Sequence, residues 1–223
     1  MTNAQPWGRL QPPGAAVVSP VWRGQVPALM RSAEGYRLPF GLGRSYGDVC
    51  SIAGGRLLDS HGLDRLIFAD WNHGILRAEA GLSINDLLRL TVPRGWFIPV
   101  TPGTRHVTLG GAVANDVHGK NHSHAGTFGR HVTAIGLTRS DQDDIELTPD
   151  DMTGLFAATI GGLGLTGFIT WVQIQLEPIK SAYLDTETLA IPGLDDYFRI
   201  ADQSRDWPFS VAWVDCLAGG HQL

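Results

Sequence analysis

Cysteine is scarce, with Cys50 and Cys216 standing alone in 223 residues. They show no C-x-x-C spacing, and two thiols in a chain this long do not make a disulfide framework, so both read as free thiols of a reducing compartment. Basic blocks are lacking too. Seventeen Lys and Arg stand against 22 Asp and Glu, a formal charge of −5, and the Lys/Arg clustering of a nucleic-acid binder is missing, which argues against nucleic acid as a partner. No stretch approaches the roughly 18 apolar residues of a membrane span. The segment Met-Thr-Asn-Ala-Gln-Pro-Trp-Gly-Arg has no basic region followed by an apolar run. The expected location is cytoplasmic. The hydrophobic share of 43% and the length suit one large globular domain, or one and a fraction.

Glycine, by contrast, is plentiful: 28 of 223 residues, against a usual share of roughly 7%. The glycines gather at 41–55, 103–129 and 161–167 without a fixed period, so they form neither a collagen-like repeat nor a flexible linker. Three separated clusters suggest a backbone that approaches one extended ligand at three places. The first reads Gly41-Leu-Gly-Arg-Ser-Tyr-Gly-Asp48. Glycine admits positive φ and removes the side chain, which lets several N–H groups converge on an anion. An ordinary tight turn would use the same residues.

Between the clusters the pattern is that of short α+β units. Tyr36 to Phe40 reads as a strand, and Arg65 to Ala69 with Gly74 to Ala80 as a hairpin around Asp70-Trp-Asn-His73. Ser83 as N-cap, Asp86 in the first turn and Pro93-Arg-Gly as a stop predict a helix over 84–91. His131 to Thr138 and Ile145 to Leu147 read as paired strands around an acidic turn, and Pro149-Asp-Asp predicts the start of a helix that runs to Gly161-Gly162. Gly167 to Glu177, rich in β-branched and aromatic bulk, is the longest strand candidate, and Leu194 to Gln203 an amphipathic helix.

The second cluster holds the densest chemistry. Thr108 precedes Gly110-Gly-Ala-Val-Ala, a short helix expected to offer free N–H groups to a phosphate. His118-Gly-Lys-Asn-His-Ser-His124 adds three imidazoles and an ammonium. A zinc site is disfavoured, because no cysteine partner or H-E-x-x-H pattern is present. A structural loop with exposed or core-satisfied histidines, and a cofactor and substrate wall, remain as readings.

In this order and spacing, the first glycine loop, Pro102-Gly-Thr-Arg with Val107-Thr-Leu-Gly-Gly-Ala, His118-Gly-Lys-Asn-His and Gly161-Gly-Leu-Gly-Leu-Thr-Gly167 resemble the FAD-binding half of the vanillyl-alcohol-oxidase superfamily. The likeness runs from Trp7-Gly-Arg to Ala212-Trp213, and the His118 motif resembles the branch that oxidises polyprenyl-phosphoryl sugars. The resemblance implies an α+β, PCMH-type FAD-binding domain of two α+β subdomains over residues 1–180. The incomplete beginning of a substrate domain would follow over 181–223, opening with a strand and a helix. Members are about twice as long, so the chain is expected to be the amino-terminal part of a longer protein or a truncated product.

The resemblance also implies roles. Gly41, Gly43, Arg44, Ser45, Tyr46, Gly47 and Asp48 would wrap the FAD pyrophosphate. Gly103 and Thr108, Leu109, Gly110 and Gly111 would line the middle of the cofactor. Asn115, Asp116, Val117 and His118 would lie on the flavin side, and Ile169 on the adenine-facing strand. Asp48 and Asp116 also fit plain turn and cap positions, a reading preferred to catalysis. Lys120 and His118 are the candidate catalytic residues, as electrostatic and orienting groups; no metal is expected. Covalent relatives carry a Gly-His-Ser histidine where this chain has Gly43-Arg44-Ser45, so the FAD is expected to be noncovalent. The implied activity is oxidation of a secondary alcohol on a sugar or lipid-linked sugar by hydride transfer to flavin N5. An NADH-dependent short-chain reductase is an implied partner, and the lipid-linked substrate would bring peripheral membrane contact. An alditol or aldonolactone oxidase, or a catalytically silent FAD-binding fragment, are the alternatives.

Overall fold

A computed structural model describes residues 4–9, 14–32 and 35–214, so Cys216 lies outside the described residues. In chain order the elements are β1 (Ala16–Val18), α1 (Val26–Arg31), β2 (Arg37–Phe40), β3 (Arg56–Asp59), β4 (Leu66–Asp70), β5 (Ile75–Glu79), α2 (Ile84–Thr91) and β6 (Trp96–Phe97). They continue with α3 (Leu109–Ala114), α4 (His122–Ala125), β7 (Val132–Thr138), β8 (Ile145–Leu147), α5 (Leu155–Thr159), β9 (Phe168–Gln175), β10 (Glu177–Pro178) and α6 (Leu194–Gln203). The fold is mixed α+β.

The strands form two main sheets. The smaller is parallel, in the order β1-β3-β2, with Val17 opposite Leu57 and Leu38 opposite Leu57. The larger is antiparallel, β4-β5-β9-β7-β8, with the long β9 at its centre. β9 is buried along most of its length, which suits its Ile, Trp and Val content. β6 and β10 form a separate antiparallel pair.

Packing joins the sheets. One cluster gathers Leu76, Ile135, Val172 and Ile174 of the large sheet with Ile84 and Leu87 of α2 and Ala112 and Val113 of α3. A second joins Val26 and Met30 of α1 to Leu58 of β3 and Phe168 at the start of β9. Phe168 is 1% exposed, so burying this ring fixes the large sheet against the small one.

The hairpin, the strands around the acidic turn and the helix over 84–91 stand where the sequence predicts them. Ser83 caps α2 by accepting from Asp86 N–H at 3.1 Å. The helix predicted from Pro149 is shorter. Asp150 and Asp151 lie in a turn, where the Asp151 carboxylate accepts from Thr153 N–H and Phe156 N–H, and Gly154 takes φ +77°, so helical geometry begins only at Leu155. The strand expected after residue 181 is also not found: 181–193 carry no strand, and α6 follows directly. β1, β3 and α1 went unread in the sequence. Among the described residues, no helix is long and apolar enough to cross a membrane.

Candidate cofactor site

The carboxyl ends of the parallel strands, α3, the start of β9 and the 161–167 loop enclose a cavity of about 620 Å³. All three glycine clusters reach it, through Gly41 and Gly43, Gly103 and Gly110, and Gly164 and Gly167. The volume falls in the usual range for a small-molecule or cofactor site.

The first loop is built to present its backbone. Among the described residues, the amides of Leu42 through Gly47 donate to no protein acceptor. Gly43 and Gly47 take φ of +62° and +64°, values that favour glycine. Several adjacent free N–H groups in such a turn form an anion-binding concavity. Gly41, Gly43, Arg44, Ser45 and Tyr46 line the cavity, while Gly47 and Asp48 sit just outside its lining. Arg44 Nη1 donates to Leu42 O at 2.8 Å, and its guanidinium stands 5.9 Å from the ring centroid of Trp7. Ser45 Oγ donates to Asn115 Oδ1 at 3.3 Å, tying the loop to the carboxyl end of α3.

The helix start behaves differently from the expectation. Leu109 N–H donates to Leu82 O at 2.8 Å and Gly110 N–H to Ala80 O at 2.8 Å. Gly111 N–H donates to the Thr108 cap at 3.1 Å. These donors are consumed by the protein, so α3 holds no free amide there for a phosphate. Its glycines serve close packing instead. A Cβ on Gly110 would stand 2.8 Å from that of Ala80.

Of the remaining candidates, Gly103, Thr108, Gly110, Gly111, Asn115 and Val117 line the cavity, as do His118 and Ile169. Leu109 is buried in the core. Asp116, at φ +41°, spends its carboxylate on Gly129 N–H at 2.8 Å and faces away from the cavity. Lys120 is exposed, outside the lining, and its carbonyl accepts from Ser210 N–H at 3.0 Å. The His118 and His122 rings meet edge to face at 5.9 Å. Among the described residues no group of three or more His, Cys, Asp or Glu could hold a metal. Sequence reading missed Trp7, Ser60, Ala80 and Leu163 as lining residues. The third glycine cluster was the available signal for Leu163; Ser60 and Ala80 had none. Cys50 lines the cavity as a neutral thiol, because burial pushes its pKa up against an opposing backbone hydrogen bond.

A family model described as an FAD binding domain matches residues 13–143, more than half of the chain. The chain belongs to that FAD-binding family. Over 219 residues it is 38% identical to the decaprenylphosphoryl-beta-D-ribose oxidase of Mycolicibacterium smegmatis, covering 95% of this chain and 48% of the relative. It is 26% identical over 157 residues to a putative D-arabinono-1,4-lactone oxidase of Neurospora crassa, covering 70% of this chain and 28% of that one. Among solved structures it is similar to an alkyldihydroxyacetonephosphate synthase, with a TM-score of 0.67 and 17% identity over 74% of this chain and 32% of that one. That likeness identifies the fold as the PCMH-type FAD-binding fold. The chain spans about half the length of the first of these relatives and less of the others.

The residues present fit FAD. A run of unpaired amides at a turn with two left-handed glycines suits a pyrophosphate, and Arg44 adds a cation beside it. The apolar wall of Val117, Phe168 and Ile169 suits the rings.

Proposed function

We propose that the chain is the FAD-binding part of an oxidoreductase that oxidises a secondary alcohol of a lipid-linked sugar, a polyprenyl-phosphoryl pentose. Residues 1–180 would hold the cofactor and 181–223 begin the substrate-facing part. The observation that carries the cofactor half of this reading is the row of unpaired amides from Leu42 to Gly47 beside a cavity of about 620 Å³. The sugar half is supported by the likeness to the mycobacterial oxidase over 95% of the chain.

FAD, when bound, supplies a hydride acceptor at N5. The glycine loop holds the pyrophosphate through N–H groups that are already oriented, so binding costs no reorganisation. Asn115, Val117 and His118 form the wall on which the flavin end would rest. His118, on the cavity lining, would orient the reacting hydroxyl, and the exposed Lys120 would hold the alcohol oxygen and neutralise a nearby phosphate. The FAD would be held noncovalently. The reading places the protein in the cytoplasm with peripheral membrane contact through its substrate and an NADH-dependent short-chain reductase as partner.

Anaerobic stopped-flow bleaching of the flavin in the gene product that carries this chain tests the proposal. Lipid-linked ribose should reduce it and free polyols should not. The opposite pattern would favour an alditol or aldonolactone oxidase, the reading to which the Neurospora relative lends support, and no reduction by either would leave a silent FAD-binding module.

A further inference from the structure

The carboxyl ends of the three parallel strands meet beneath the cavity, the edge at which open α/β sheets place their ligands. β2 runs into Gly41, β3 ends at Asp59 opposite Phe40, and β1 is followed by Ser19. Phe40, Gly41 and Ser60 line the cavity. Asp59, 1% exposed, is bound from three directions: Ser19 Oγ donates to Oδ2 at 3.2 Å, His61 N–H donates to Oδ1 at 3.1 Å, and His61 Nδ1 meets the same Oδ1. The imidazole is exposed, so a buried carboxylate has a counter-ion that solvent protons can reach.

This cluster is rigidly joined to the cavity floor. Ser60 O lies so close to Gly81 that no Cβ fits there, and Gly81 N–H donates to Leu63 O. Ala80, the preceding residue, lines the cavity and accepts from Gly110 N–H. A shift at Asp59–Ser60 therefore moves the wall formed by Ala80 and α3.

We propose that His61 is a positioning residue for FAD: when protonated it closes the Asp59 latch at the carboxyl edge of the parallel sheet, and the chain then holds FAD more tightly than when His61 is neutral. The inference rests on the FAD reading of the cavity. Loss of the proton leaves the Asp59 carboxylate buried without its counter-ion, which is costly. It also removes the imidazolium that offsets the Asp59 charge below the site of a pyrophosphate dianion.

The titration supports the geometry. The Asp59 hydrogen bond lifts the His61 imidazole above its ordinary value against opposing burial, with the Asp59 charge adding to the lift. Burial pushes Asp59 up, but the His61 ring and backbone hydrogen bonds, the His61 charge and the Ser19 hydroxyl outweigh it and hold the carboxyl below the usual range. Around His61, Pro20 O abuts Gly62, and Arg65 Nη1 reaches Val21 O at 2.8 Å and Gly62 O at 3.2 Å. Glu79 holds both Arg65 and Arg23, one carboxylate against two guanidiniums, and this arrangement is the same in either protonation state of His61. A raised histidine pKa means that the latch is fully closed below about pH 6.5 and opens as pH rises through the folded-state value. At the acid end it is lost as pH falls through the lowered pKa of Asp59.

The experiment is titration of FAD into the apo gene product, read by quenching of flavin fluorescence, from about pH 6 to about pH 8.5. The pyrophosphate stays doubly ionised throughout, so the ligand contributes no slope. The parent Kd should rise about fivefold across the range. His61→Gln should be weaker and His61→Arg, permanently charged, tight, each with a smaller pH slope than the parent; the second variant guards against a merely structural loss. His118 is a second imidazole on the cavity wall, and its contribution persists in both variants. A pH-independent parent Kd, or a His61→Gln profile parallel to the parent, would overturn the proposal. Absence of FAD binding at every pH would overturn the FAD reading along with it.

Discussion

Thr108 Oγ1 stands 2.5 Å from the position that a Cβ on Gly41 would occupy. The same oxygen caps α3 by accepting from Gly111 N–H at 3.1 Å. The strand that delivers the first glycine loop and the helix that forms the opposite cavity wall therefore meet with only the Thr108 side chain between them. Gly41→Ala should overpack this contact and destabilise the protein by about 1–3 kcal/mol. Thr108→Ala should cost about 1 kcal/mol through the lost cap. The double variant should be less destabilised than the sum, because removing the hydroxyl frees the space that the new methyl needs. Urea unfolding of the four proteins measures the coupling; strict additivity would mean that the two residues do not share this contact.

Gly43 and Gly47 both have positive φ but different surroundings, which separates two costs. A Cβ on Gly43 would strike Gln5 O and lie 2.9 Å from Phe40 Cζ, whereas one on Gly47 meets nothing within 4 Å. The Gly43 side chain position thus faces the amino-terminal segment rather than the pyrophosphate, so substitution there disturbs the fold as well as the cofactor. Gly43→Val should lower both the melting temperature and FAD occupancy. Gly47→Ala should cost only the left-handed backbone strain, about 1–2 kcal/mol. Equal melting temperatures for Gly43→Val and the parent would show that this packing is absent in solution.

The contrast between these glycines marks what a sequence can show. Local signals were readable: Ser83 three residues before Asp86 announced α2, and the β-branched run of β9 announced the central strand. Non-local ones were not. β1 and β3 are three and four residues long and pair in parallel at an offset of forty positions, Ala16 with Arg56, too short for a periodic pattern and too distant for a turn signal. The amides at the start of α3 looked free because their acceptors, Leu82 O and Ala80 O, belong to another part of the chain. Asp59 and His61 carried no motif; only folding places Ser19 against them. The shape of the glycine loop was legible because it is local backbone geometry, two left-handed glycines in a run of unpaired amides.

Attachment of the cofactor follows from what lines the cavity. The first loop has Arg44 where a histidine would be needed for a covalent bond there, and the Cys50 thiol is kept neutral by burial, which suppresses its nucleophilicity. Acid precipitation of the purified yellow protein should leave all FAD in the supernatant. Flavin absorbance retained in the washed pellet would show a covalent link.

Lys120 is exposed, makes no ion pair among the described residues and stands outside the cavity lining, while its neighbour His118 stands within it. The ammonium is therefore free to meet a substrate and is not among the groups that line the cofactor cavity. If it orients the reacting alcohol, its loss should appear in the chemical step, not in flavin content. Lys120→Met in the gene product should keep the parent FAD spectrum and Kd, yet slow substrate-driven flavin reduction by about a hundredfold, the size of one preorganised electrostatic contact. Lys120→Arg should recover part of the rate by restoring the charge with altered geometry. Anaerobic stopped-flow absorbance at the flavin band reads that step apart from reoxidation. An unchanged rate in Lys120→Met would make Lys120 a solvated surface residue, and a loss of FAD would place it against the cofactor instead of the substrate.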